Sequence, residues 1–158
     1  MSQSSARVRV AVDAMGGDYA PGEIVKGAVI AATQGDVAIT LVGQQEAMAD
    51  ALRVEGAPPD LITCVHAAEV IREGEAPALA IRHKRNSSIV VGTKLVKSGD
   101  ADAFISAGST GAVGAAAATY LGMLPGMERP TIGGGFSSFA PNVVVMDLGA
   151  NVDCKPYQ

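Results

Sequence analysis

The sequence has no tryptophan, and aromatic residues make up only 4% of it. A core without large rings must be filled by Ala, Val, Ile and Leu, as in a parallel sheet covered on both faces. Cysteine is scarce as well: Cys64 and Cys154 lie far apart, with no CxxC spacing. They read as free thiols rather than as a disulfide or metal framework. With two histidines and no HxxxH-type spacing, a histidine-based metal site is unsupported, and neither metal nor cofactor is expected. No apolar run approaches the ~18 residues of a bilayer-spanning helix. The N-terminal MSQSSARVR lacks the apolar centre of a signal peptide, so a cytoplasmic location is the expectation. The 12 basic residues are outnumbered by 16 acidic ones. That balance argues against general nucleic-acid binding, which needs a basic face.

What the chain does have is 48% hydrophobic residues and 19 glycines among 158, enough for one domain with a real core. Ile24, Val25, Ala28, Val29 and Ala32 recur at helical spacing, opened by Pro21 and stopped at Gly35. Further helices are expected over 44–56, 77–85, 87–100 (capped by Ser87 or Ser88) and, rich in alanine, 109–124. Apolar runs predict strands at 7–13, 37–43, 61–67, 101–107 and 142–149. Segment 68–76 reads as a loop and 127–141 as a connector, with a disordered tail over 1–6. The alternation predicts an α/β protein, a three-layer α/β/α arrangement with a mostly parallel sheet. A doubly wound sheet rarely ends on an uncovered strand, and Pro156 stands where the next helix would begin. Residues 7–158 are therefore expected to form a single α/β domain, the N-terminal part of a longer chain.

Three strand ends could carry chemistry, because ligands of open α/β sheets bind at the carboxyl ends of strands. In DAMGGD, Asp13 stands at a strand tip beside Gly16 and Gly17, which let a backbone approach a ligand closely. The bland alternative is a turn, with Asp18 capping the next helix. In SAGSTGA, Ser106, Ser109 and Thr110 supply hydroxyls, Gly108 and Gly111 free the backbone, and a helix N-terminus follows. Such a loop suits phosphate or a developing oxyanion; the alternative is a capped helix start with small residues for packing. In DLGANVDCKP, Asp147 is followed by Asn151, Asp153 and Lys155. There is neither a GxGxxG fingerprint nor a Walker lysine. The run Arg82, His83, Lys84, Arg85 is either a solvated helix end or a docking patch for an acidic partner. His66 reads as a surface or hydrogen-bonded residue.

Taken together, VAVDAMGGDYAP, AIRHKRNSSIVVG, SAGSTGA, ERP at 128–130 and DLGANVDCKP resemble the bacterial PlsX family. Its members are phosphate acyltransferases, which move a fatty acyl group from acyl carrier protein to inorganic phosphate. The matches run in order through nearly the whole chain. Ser109 stands where the family usually has Asn, the connector at 131–141 is short, and members are considerably longer.

The resemblance implies a fold similar to isocitrate and isopropylmalate dehydrogenases and to phosphotransacetylases. It also implies a homodimer and a peripheral link to the inner face of the membrane. For acyl transfer, the SAGSTGA loop and Lys155 would contact phosphate or the oxyanion. Asp13, Asn151 and Asp153 would position them or relay a proton. Gly16, Gly17 and Arg129 would complete the phosphate site, with Arg82, Lys84 and Arg85 docking the acidic carrier. Two alternatives stand beside this: an isocitrate-type dehydrogenase, whose metal Asp147 and Asp153 would partly serve, and a non-catalytic module that binds phosphate or the carrier protein.

Overall fold

The computed structural model describes residues 7–128, 130–135 and 142–146. Its centre is Val8–Asp13 (β1), which pairs in parallel along its length with Val37–Gly43 (β2). Thr63–His66 (β3) lies beyond β2, and Ala103–Ile105 (β4) takes the other side of β1, so the sheet order is β3-β2-β1-β4. The period-2 alternation of a strand sends consecutive residues to opposite faces. Val12, Ile39 and Leu41 join one apolar cluster, while their chain neighbours Ala11 and Val42 join another.

The first cluster is covered by Gly22–Gln34 (α1) and Gln45–Val54 (α2), which bury Val25, Ala28, Ala32 and Met48 there. Fully burying a side chain such as Leu41 or Met48 contributes about 2 kcal/mol. The opposite face receives Pro77–His83 (α3) and Ser88–Ser98 (α4), followed after β4 by Thr110–Ala116 (α5). Ile81, Ile89, Val90, Ala112 and Ala116 interlock these three helices, and Val91, Leu95 and Phe104 seat α4 on the sheet. α4 lies so close to β4 at Gly92 that a methyl group there would overlap the Phe104 ring. Helices thus cover both faces, as the alternation predicts.

Local signals hold at several ends. Gly35 stops α1 in the left-handed region at φ 82°, and Ser87 Oγ accepts a hydrogen bond from Val90 N at 3.4 Å. Pro77 occupies the first turn of α3. At α1 the cap position falls to Pro21, with no side-chain capping bond, so Asp18 does not cap that helix. The helix expected over 109–124 ends earlier: α5 widens into a π-helical turn at Ala117–Leu121 and stops at Gly122.

A larger correction concerns the chain's last part. Residues 142–149 were expected to close the parallel sheet and 127–141 to connect to it. Instead Gly133–Gly135 (β5) pairs antiparallel with Val144–Met146 (β6) in a separate two-stranded sheet. Glycine lacks a side chain but still carries a backbone donor and acceptor that need partners. An antiparallel pair satisfies them across a short connection. Among the described residues, no helix is long and apolar enough to cross a membrane.

Candidate functional site

From β1 the chain turns through α1 to β2 on one side; after β3 it crosses back to β4 on the other. The loops leaving the carboxyl ends of β1 and β4 therefore diverge, one to α1 and the other to α5 across the sheet. A crevice opens between such loops, and it is the common ligand position in doubly wound sheets. DAMGGD and SAGSTGA are these two loops.

They meet through Asp13. Its carboxylate is 1% exposed and accepts two hydrogen bonds, at Oδ1 from Met15 N (3.0 Å) and at Oδ2 from the Ser106 hydroxyl (2.7 Å). Ser106 Oγ in turn accepts from Gly108 N at 3.0 Å. The buried carboxylate thus fixes the second loop through one hydroxyl, 93 positions away in sequence. The backbones touch as well. A Cβ on Gly16 would lie 2.6 Å from Asp13 Oδ2 and 2.7 Å from Gly108 N. Gly17 holds φ at 100° against Ala107, a conformation in which a larger residue is strained. The glycines are required by loop-to-loop contact, a reason the sequence does not disclose.

Ser109, 8% exposed, occupies the cap position of α5 without a capping hydrogen bond from its side chain. Thr110 is exposed at the first turn. Gly111 has a packing partner, since a Cβ there would stand 2.8 Å from Pro77 Cγ. A side chain at Gly111 would push α5 from α3, so this glycine is needed for packing whatever its amide contacts.

The basic run divides. Lys84 Nζ donates to Glu75 Oε1 (2.6 Å) and to the Val70 carbonyl (2.9 Å), strapping segment 68–76 to the end of α3. The bonds from Lys84 and from Arg72 N hold the Glu75 carboxyl below the usual carboxylate range. Arg82 and Arg85 are exposed and make no ion pair with a described residue. Lys94 lies beside them, its Nζ 3.4 Å from the Arg85 carbonyl and 5.1 Å from the Tyr120 ring centroid. His66 Nδ1 accepts from Gln45 N at 3.4 Å, the hydrogen-bonded role expected of it. Among the described residues, no group of three His, Cys, Asp or Glu side chains converges. Arg129, Asp147, Asn151, Asp153, Cys154 and Lys155 lie outside the described residues, as does the tail 1–6.

The comparisons with known proteins agree with one another. The family described as "Fatty acid synthesis protein" matches residues 8–158. A phosphate acyltransferase of Pelotomaculum thermopropionicum is 52% identical over 150 residues, covering 95% of this chain and 44% of that protein. One of Syntrophomonas wolfei is 49% identical over 157 residues, covering 96% of this chain and 48% of its own. The chain spans just under half the length of these relatives. Among solved structures, a phosphotransacetylase from Streptococcus pyogenes matches with TM-score 0.59 at 22% identity, over 80% of this chain and 41% of that one. EutD phosphotransacetylase from Staphylococcus aureus gives TM-score 0.53 at 20% identity, with the same coverage. At such identities the likeness is one of fold, and it agrees with the phosphotransacetylase-like layering.

Proposed function

The chain belongs to the fatty acid synthesis protein family, and from that premise we propose that it forms part of an acyltransferase moving a fatty acyl group from acyl carrier protein to inorganic phosphate. The observation that carries this reading is the Asp13–Ser106–Gly108 junction, which joins two glycine loops at the switch point of the sheet. Phosphate is already an anionic nucleophile, so no serine–histidine apparatus is needed. One of its oxygens attacks the thioester carbonyl, a C–O bond forms, and the carbonyl electrons collect on oxygen. Their return breaks the C–S bond, and the carrier thiolate leaves and takes a proton. Donors fixed in advance are the largest source of stabilisation for such an oxyanion.

In this reading the amides of Gly16 and Gly17 and the Thr110 hydroxyl face phosphate or the oxyanion, and the Gly108 amide, bonded to Ser106 Oγ, shapes the loop beside them. Asp13 positions them through Ser106, whose hydroxyl proton is already committed to the carboxylate and which therefore serves as a strut rather than a nucleophile. Lys155, Arg129, Asn151 and Asp153 complete the phosphate site and the proton path on the strength of the family resemblance. A single α/β domain over 7–158, a homodimer and a peripheral membrane link rest on the same support. The dehydrogenase alternative loses its ground, because the relatives are phosphate acyltransferases.

The test incubates the purified chain, alone and joined to the remaining half of a relative, with acyl carrier protein thioester and phosphate, and traps acyl phosphate with hydroxylamine. Phosphate-dependent hydroxamate from the joined protein is expected, and little from the chain alone. Release of free fatty acid without acyl phosphate would refute the reading.

Carrier docking falls to Arg82 and Arg85, with Lys94 beside them, because Lys84 is engaged by Glu75. Replacing both arginines with Ala is expected to weaken carrier binding roughly tenfold at low salt, an effect that fades as salt screens the charges. Lys84→Ala is expected to spare affinity and loosen segment 68–76 instead. Titration of labelled carrier at two ionic strengths checks this; equal losses for the two variants would count against it.

A further inference from the structure

Beside the junction of the two loops lies an open cleft of about 730 Å³. Its lining begins with Ser106, Gly108 and Thr110 at the start of α5 and continues, mostly apolar, along Val113, Gly114 and Ala117 of α5 and its π turn, with Pro130, Thr131 and Ile132 also on the wall. We propose that this cleft receives the hydrocarbon chain of the acyl thioester, with Gly114 setting how much of the chain fits. The inference rests on the acyl-transfer reading and extends it to a binding site for the tail.

Three observations support this occupant. The cleft is continuous with the Ser106–Gly108 loop, so a carbonyl held there would point its chain along α5. Its polarity runs in the same order as that of an acyl thioester, polar at the reacting carbon and apolar beyond. Its volume lies within the ~300–1,000 Å³ of small-molecule sites, which are mostly apolar with a few placed polar groups. Gly114 makes the proposal testable. A Cβ built on it meets nothing within 4 Å, so the cleft and not a neighbouring side chain occupies that space. An alanine would narrow the cleft without a clash, a phenylalanine ring would extend further into it, and replacing a helix glycine with alanine favours the helix.

The experiment measures binding of butanoyl, octanoyl and hexadecanoyl thioesters of pantetheine, below their micelle concentrations, to the wild-type chain, Gly114→Ala and Gly114→Phe. Thermal melts confirm folding. Each methylene that enters an apolar cleft is expected to strengthen binding by up to about fourfold. Wild-type affinity should therefore rise steeply from butanoyl to octanoyl. Gly114→Phe should keep the butanoyl affinity and lose at least tenfold for the longer chains, with Gly114→Ala between. Affinity independent of chain length, or a Gly114→Phe protein that binds all three as wild type does, would overturn the proposal. The second result would leave the cleft to a protein segment. Hydroxylamine trapping with the joined proteins keeps the two readings apart. Acyl phosphate formed with unchanged chain-length preference in Gly114→Phe removes the tail site and leaves acyl transfer standing. Chain-length-dependent binding without acyl phosphate does the reverse.

Discussion

Asp13→Ala is expected to lower stability by about 3 kcal/mol and to remove nearly all acyl-phosphate formation. The stability figure follows from what the carboxylate holds. At 1% exposure it accepts from Met15 N and from the Ser106 hydroxyl, and both donors lose their partner when it is truncated. Leaving a buried donor unsatisfied costs about 1–3 kcal/mol, a large share of the ~5–15 kcal/mol that hold a domain folded. The loss of activity follows from geometry. Without Oδ2, Ser106 no longer ties the β4–α5 loop to β1, and the Gly108 amide bonded to Ser106 Oγ is released with it.

Asn at position 13 separates the two effects. Its amide oxygen can still accept from Met15 N, and its amide NH₂ would then face Ser106, whose oxygen has a second lone pair. The Ser106 hydroxyl must turn away from its old acceptor, so the bond survives with its direction reversed. Asp13→Asn is expected to cost about 1 kcal/mol and to keep more activity than Asp13→Ala. Urea melts of the chain and hydroxylamine trapping with the joined protein read the two quantities. If Ala and Asn lower both alike, the carboxylate acts through its charge rather than through the Ser106 bond.

The sequence made part of this site legible and hid the rest for a physical reason. Strand periodicity placed Asp13 and Ser106 at the ends of parallel strands, since alternation and helix signals act over a few residues. Gly35 and Ser87 were readable for the same reason, each serving its own helix end. That the Ser106 hydroxyl donates to Asp13 was not readable, because 93 positions separate them and only the strand order brings them together. Gly111 looked like a loop glycine freeing an amide; its contact is Pro77, a residue of another helix. Lys84 looked equivalent to its basic neighbours until Glu75 folded back onto it. The triple glycine at 133–135 carried no strand signal at all, since β propensity resides in side chains and its ladder is formed by backbone alone.

Gly16→Ala is expected to be the most damaging single-methyl change at the junction of the two loops: a loss of about 2–3 kcal/mol from overpacking, with turnover reduced roughly 100-fold. The added carbon would sit 2.6 Å from Asp13 Oδ2, 2.7 Å from Gly108 N and 3.0 Å from Gly108 Cα. Two of these neighbours are backbone and the third is a buried carboxylate held by two bonds, so no flexible side chain can swing aside. The loops must part, and parting stretches the bonds Ser106 makes to Asp13 and to Gly108. A displacement of about 1 Å is enough to cost a factor of 100 when it moves groups that align reactants.

Two other glycines grade the effect. At Gly108 a Cβ would meet Ser106 Oγ at 3.2 Å and Gly16 Cα at 3.3 Å, tight but less so, and Gly108→Ala should fall between the extremes. At Gly27, inside α1, nothing lies within 4 Å, and Gly27→Ala should stabilise by up to about 1 kcal/mol through helix propensity. The order Gly16, Gly108, Gly27 in both melting temperature and acyl-phosphate yield is the signature of two loops pressed together at the switch point. A Gly16→Ala protein that melts and turns over like wild type would mean that the loops stand apart and that the junction is not where the reaction is built.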